Sequence, residues 1–149
     1  MRVQDICTHH VAHIVATESL IESAVMMRER HVGNVVVVEN LDGKRRPIGF
    51  LTDRDIIVSV IAAGLAAENL VVGDVMSKPV YCCGGTQSVF DAIAIMREHG
   101  IRRLPVLDED GSLAGIVAAS DIWIALSNQL KILGEITVRE RIGEIKRRV

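Results

Sequence analysis

"GFLTDRDI" (Gly49–Ile56) recurs sixty-six positions later as "GIVAASDI" (Gly115–Ile122). Each copy runs glycine, two apolar residues, three small or polar residues, then Asp-Ile. Thr52 of the first is Ala118 in the second. Earlier in the chain a shift of 69 positions pairs Val3 with Val72, Asp5 with Asp74, Thr17 with Thr86, Ser19 with Ser88, and "MRE" at Met27 with "MRE" at Met96. The register slips because the loop "ENLDGKRRP" is longer than its counterpart "DEDGSLA". A period this long exceeds solenoid repeats of about 20–50 residues, so the chain is a tandem pair and not an array.

Both units carry the same sequence of signals. A short apolar strand ("HIVAT"; "VYCC") leads to Thr17 or Thr86, each predicted to cap a helix. Leu20, Ala24 and Met27, and then Val89, Ile93 and Met96, recur at helical spacing. The strands "NVVVVE" and "RLPVLD" precede turns containing Asp-Gly, then "PIGFL" or "LAGIV", then a helix from about residue 53 or 119. "VVVV" lacks polar alternation and is expected to be buried on both faces. One such unit cannot bury its own sheet; two facing each other can. The predicted class is α/β (α+β): tandem β-α-β-β-α repeats packed sheet to sheet with pseudo-two-fold symmetry and clefts where the halves meet. The predicted boundaries are repeat one at 1–65, repeat two at 66–129 and a C-terminal amphipathic helix at 130–149.

Composition narrows the function. The chain has 149 residues, is 49% hydrophobic and carries a net charge of −2. Aromatics make up 3%, too few for base-stacking platforms, so no nucleic-acid partner is expected. "IIVSVIAAGLAA" (Ile56–Ala67) is too short to span a membrane. With no apolar leader at "MRVQDICTHH" and an odd set of cysteines, Cys7, Cys82 and Cys83, the expected setting is a reducing cytoplasm. No nucleophile elbow, P-loop, dinucleotide fingerprint or zinc-protease motif is present, so no enzyme is expected.

Over Val3 to Leu126 the chain resembles the CBS-domain pair, or Bateman module. The residues carrying the resemblance are "VGDVMSKPV" (Val72–Val80), "AIMREHGIRRLPVLDEDG" (Ala94–Gly111) and the two Asp-Ile segments. The resemblance implies a non-enzymatic regulatory module that binds adenosine-containing ligands (AMP, ADP, ATP, NAD(H) or relatives) between its halves and signals to an effector in trans. By position, cleft one joins Thr52 and Asp55 to Val80, Tyr81, Cys82, Ile101, Arg102, Arg103 and Pro105. Cleft two joins Ser120 and Asp121 to Val11, Ala12, His13, Val32, Gly33 and Asn34. The chemistry suits this assignment. A carboxylate accepts from two vicinal hydroxyls, and guanidinium forks hold phosphate. Cleft two departs from the pattern: Gly33 and Asn34 stand where cleft one has its arginines, and Ala118 has no hydroxyl. The resemblance also implies a homodimer built on the four helices starting near Thr17, Asp53, Thr86 and Ala119.

Plainer readings stand beside these. Thr52-x-x-Asp55 is also a capping box, although capping leaves Asp121 without a hydroxyl three residues before it. Alternation would turn only one of Arg102 and Arg103 into the cleft. Arg45 and Arg46 are expected in a solvated hairpin loop. "CTHHVAH" gathers Cys7, His9, His10 and His13 without a zinc spacing, and no metal is expected. Cys82 and Cys83 read as one thiol toward the cleft and one toward the core. In the tail, Ile132, Ile136, Ile142, Ile145 and Val149 are expected to dock on the domain or a partner subunit. The competing function is a structural dimerisation module whose clefts stay empty.

Overall fold

A computed structural model describes residues 1–147, so Val149 lies outside the described residues. The strands are β1 (His13–Val15), β2 (Asn34–Leu41), β3 (Lys44–Thr52), β4 (Cys83–Gly84), β5 (Arg103–Leu107) and β6 (Leu113–Ala118). The helices are α1 (Leu20–Glu29), α2 (Asp53–Ile56, continued by a π-helical turn at Ile57–Ile61), α3 (Val72–Val75), α4 (Val89–His99) and α5 (Ala119–Arg147). Two three-stranded sheets form, ordered β1-β2-β3 and β4-β5-β6. In each, the first pair is parallel and the second antiparallel. The predicted architecture is therefore present, once per half.

The four valines explain how the halves join. Val35 and Val37 point into the first half's core with Ile14, Leu20, Leu51 and Val60. Val36 and Val38 point the other way, into a central cluster with Val11, Leu113, Phe50 and Ile116. All four are at most 1% exposed. A strand buried on both faces has no use for polar alternation.

The leading segments cross over. Val3 sits in the second half's core with Val89, Leu104 and Val117, whereas Val72 sits in the first half's core. Reciprocal backbone bonds pin the exchange: Thr8 with Ile116 (both 2.9 Å), and Ser77 with Phe50 (2.8 and 3.2 Å). The boundary expected at residue 65/66 therefore divides the sequence but not the packing. Each half is completed by a segment that precedes the other half's first strand.

Local details correct the sequence reading. The helix caps are Ser19 and Ser88, not Thr17 and Thr86: Ser19 Oγ accepts from Glu22 N–H at 3.1 Å and Ser88 Oγ from Asp91 N–H at 3.2 Å. Both are capping boxes, with the acidic side chain returning to the cap backbone. The buried faces are Leu20, Ser23, Met27 and Val89, Ala92, Met96; Ala24 and Ile93 are exposed. Buried Ser23 donates its hydroxyl to Leu20 O at 2.6 Å, so its polarity is satisfied. Arg45 and Arg46 lie on β3 and not in a loop, paired with Asn40 and Glu39. "VYCC" forms no strand before Cys83.

Helix α5 runs unbroken through the expected boundary at 129/130. Ile122 is buried, but Leu130, Ile132, Leu133, Ile136, Ile142 and Ile145 are all about half exposed or more, so this part of the helix does not dock on its own domain. Among the described residues, no helix is long and apolar enough to cross a membrane.

Candidate functional site

The chain crosses between halves at Thr8–Ala12 and at Ser77–Tyr81, and a cavity lies at each crossing. Cleft one, about 390 Å3, is lined by Phe50, Thr52, Asp55, Ser77, Lys78, Pro79, Val80, Tyr81, Ile101, Arg102, Arg103 and Pro105. That volume lies within the range of about 300–1,000 Å3 usual for small-molecule pockets. Every residue expected there is present except Cys82, which is half-buried outside the cavity where the chain turns into β4 at Cys83. Both arginines line it, although strand alternation alone would turn only one inward. Phe50, Ser77, Lys78 and Pro79 were missed. "SKP" was legible as a polar run leading into Val80, but only the crossover puts it in the cavity wall.

Asp55 performs the capping role and keeps an oxygen in reserve. Its Oδ2 accepts from Thr52 N–H at 2.9 Å and from the Thr52 hydroxyl at 2.7 Å, while Thr52 Oγ1 accepts from Asp55 N–H at 3.1 Å. Among the described residues, Oδ1 receives no hydrogen bond. The carboxylate is thus fixed in orientation with one oxygen available. Tyr81, which lines the same cavity, stacks its ring on His99, with centroids 3.5 Å apart and planes 12° from parallel. Lys78, Arg102 and Arg103 outnumber the single carboxylate among the lining residues, which suits an anion beside a flat ring.

Cleft two, about 280 Å3, is lined by Thr8, His10, Val11, Ala12, His31, Val32, Gly33, Asn34, Arg103, Ile116, Ala118 and Asp121. His13 and Ser120 do not line it. His13 turns outward, with Nδ1 3.0 Å from Val11 O and Nε2 3.2 Å from Arg45 Nη1; Ser120 is exposed on the first turn of α5. Asp121 Oδ2 accepts from Ala118 N–H at 2.8 Å, the same backbone bond Asp55 makes, so capping accounts for Asp121 even without a hydroxyl. A Cβ on Gly33 would stand 2.9 Å from Asp53 Oδ2, so a larger residue there requires the Asp53 carboxylate to shift. Nor is the cleft without an arginine: Arg103 lines it as well as cleft one.

The remaining candidates have local roles. Cys7 Sγ lies 4.0 Å from His9 Nε2, and His9 Nδ1 lies 3.2 Å from Ala114 O. No group of three His, Cys, Asp or Glu side chains able to hold a metal occurs among the described residues. Burial pushes the Cys82 thiol up to about 11. Burial, then the neighbouring Cys82 and Cys7, push Cys83 up to about 12. Both stay protonated and poorly nucleophilic at neutral pH.

The CBS domain family model matches residues 3–62 and 72–122. An uncharacterized protein of Methanopyrus kandleri is 40% identical over 106 residues, covering 71% of this chain and 53% of that one; the chain thus spans about half of that relative's length. Hypoxic response protein 1 of Mycobacterium tuberculosis is 34% identical over 119 residues, 80% of each chain. A crystal structure of Hypoxic Response Protein I with two coordinated zinc ions superposes with a TM-score of 0.72 at 33% identity, covering 82% of this chain and 96% of that one. A CBS domain protein of Pyrobaculum aerophilum complexed with AMP shares the fold, with a TM-score of 0.72 at 24% identity over 81% of this chain and 89% of that one.

Proposed function

We propose, from the premise that this chain belongs to the CBS domain family, that it is a non-enzymatic regulatory module whose cleft one takes a phosphorylated adenosine. Candidate ligands are AMP, ADP, ATP and NAD(H). One observation carries this reading: cleft one gathers Lys78, Arg102 and Arg103, the available carboxylate oxygen side of Asp55, and the Tyr81 ring around a single cavity. Those groups match, in turn, a phosphate, vicinal ribose hydroxyls and a base. The Pyrobaculum protein complexed with AMP shares the fold, and the ligand assignment here rests on the cavity.

Because the cavity wall comes from both halves, a ligand favours one relative placement of them, and a partner in trans reads that placement. The module acts as a homodimer. Support comes from the apolar helix surfaces, where Phe90 is 65% and Trp123 75% exposed in the single chain; such patches mark association surfaces. Isothermal titration against AMP, ADP, ATP and NAD tests the reading. Binding of a phosphorylated adenosine at micromolar to submillimolar concentration is expected; no heat and no thermal shift with any of them overturns it in favour of a structural dimerisation module.

A further inference from the structure

We propose that Arg103 is a cation shared by the two clefts, and that it sets them against each other for anionic ligands. The proposal rests on the reading of the clefts as nucleotide sites and adds a coupling between them.

Arg103 lines both cavities. The reason lies in the strand register. Arg103 opens β5 directly opposite Ala118 on β6, and directly opposed residues of an antiparallel pair project to the same face. Ala118 is in turn the residue whose amide Asp121 caps. The arginine is therefore placed beside Ala118, a lining residue of cleft two, while it also lines cleft one. In the first half the equivalent pair is Asn34 opposite Thr52. There Asn34 is buried, and the Thr52 hydroxyl is engaged by Asp55, so that junction is closed. The change from Thr52 to Ala118 removes the side chain that would occupy the corresponding space beside Arg103.

Two further observations give the arrangement a consequence. Among the described residues the Arg103 guanidinium makes no ion pair and no side-chain hydrogen bond, and the residue is exposed. It is free to lean either way, with a long stem to do so. The clefts also differ in what remains without it. Cleft one retains Arg102 and Lys78; among the described residues the lining of cleft two holds no other lysine or arginine, its remaining basic side chains being His10 and His31. A phosphate in cleft one recruits Arg103 and withdraws the only such cation from cleft two. By linkage, an anion in cleft two must weaken cleft one by the same factor. A neutral nucleoside exerts no such pull.

Site-resolved amide NMR on the full chain tests this, with Ile101 reporting cleft one and Gly33 cleft two. In an AMP titration of the wild type, Gly33 should respond after Ile101. In Asp55→Asn, which weakens cleft one yet keeps an acceptor for the Thr52 amide, the Gly33 midpoint should move to lower AMP by about ten-fold, a typical allosteric coupling. Arg102→Ala weakens cleft one without touching the cap and should produce the same shift if Asp55→Asn does not fold. Placing Arg103→Ala in either background should abolish the shift, and adenosine should titrate the two clefts independently. An unmoved Gly33 midpoint, a Gly33 signal that never responds, a shift that survives Arg103→Ala, or equal coupling with adenosine overturns the shared cation and leaves the nucleotide site standing. No response of either amide to AMP overturns both.

Discussion

Met76 lies across Gly49 so closely that a Cβ on the glycine would run into the thioether sulfur, and Cys7 covers Gly115 in the same way, its Sγ 3.0 Å from where a Cβ would stand. This pair of contacts explains why both repeated segments begin with glycine. Each glycine is the seat of a leading segment that has crossed over from beside the other half.

Gly49→Ala should therefore lower stability by about 1–3 kcal/mol, the usual cost of overpacking. For a chain of this size that is a fall of about 2–4 °C in Tm per kcal/mol. Met76→Ala costs about 2–5 kcal/mol on its own, as a large-to-small core change. Together the two substitutions should cost less than their separate losses, because the second relieves the clash made by the first. Urea denaturation of the four proteins checks this, and strict additivity would show that the glycine and methionine do not press on one another.

Asp55 combines a cap with the proposed ligand contact, and the two roles separate by substitution. Asp55→Ala removes the acceptor of Thr52 N–H and should cost about 0.5–2 kcal/mol, the range for a lost cap. Asp55→Asn should keep most of that stability and still bind AMP more weakly. Arg102→Ala should weaken the same ligand, while Asp121→Ala leaves cleft one nearly unaffected. Equal loss of one ligand in all these variants would refute two separate clefts.

Tyr81 lines cleft one, and its stack on His99 holds the ring in place. His99→Ala removes a contact worth about 0.5–1.5 kcal/mol for stacked rings and should weaken AMP binding several-fold by releasing the ring. Tyr81→Leu should weaken it further. Calorimetry that finds His99→Ala neutral for both stability and binding would show that the stack has no part in the site.

The buried thiols impose an alkaline limit. In the unfolded chain Cys82 and Cys83 ionise near pH 9, but burial holds them protonated to about 11 and 12 in the fold. Between those values the unfolded state binds fewer protons than the folded one, so stability falls as pH rises. The contribution is complete below pH 9 and is lost as pH climbs through 11 to 12. Urea midpoints should decline from pH 9 upward, and the decline should be shallower in Cys82→Ala/Cys83→Ala. An identical profile in that variant would assign the decline to other groups.

Trp123, 75% exposed on α5, tests the homodimer. Light scattering should give a dimer mass for the wild type and a monomer for Trp123→Glu, since a charge in an apolar interface leaves an ion desolvated. A monomeric wild type would remove the interface.

Much of this was legible in the chain because periodicity and duplication are local signals. The order of elements and the burial of "VVVV" on both faces follow from the repeat and the missing alternation. The helix caps were misplaced by two residues, although Ser19-x-x-Glu22 and Ser88-x-x-Asp91 were present as capping boxes to be read. Most of the cleft residues fell where the repeat put them, on strand and helix ends and on the crossing segments alike. The exceptions depend on local geometry: Cys82 stands outside cleft one, Ser120 is exposed on α5, His13 at the start of β1 lies against Val11 O and Arg45, and Lys78 joins the wall of cleft one.

By itself the sequence determined two copies of one unit, the residues able to build each sheet, and an Asp at the start of each second helix. Those properties depend on spacing along the chain. Only the tertiary structure decided that Val3 and Val72 complete opposite halves, that Gly33 yields its space to Asp53, and that Arg103 stands between two cavities. Such facts depend on contacts between residues tens of positions apart, set by where the chain crosses and by which residues face each other across a strand pair. Thr52 and Ala118 show the difference. Sequence records the substitution, and the register with Arg103 gives it a physical setting.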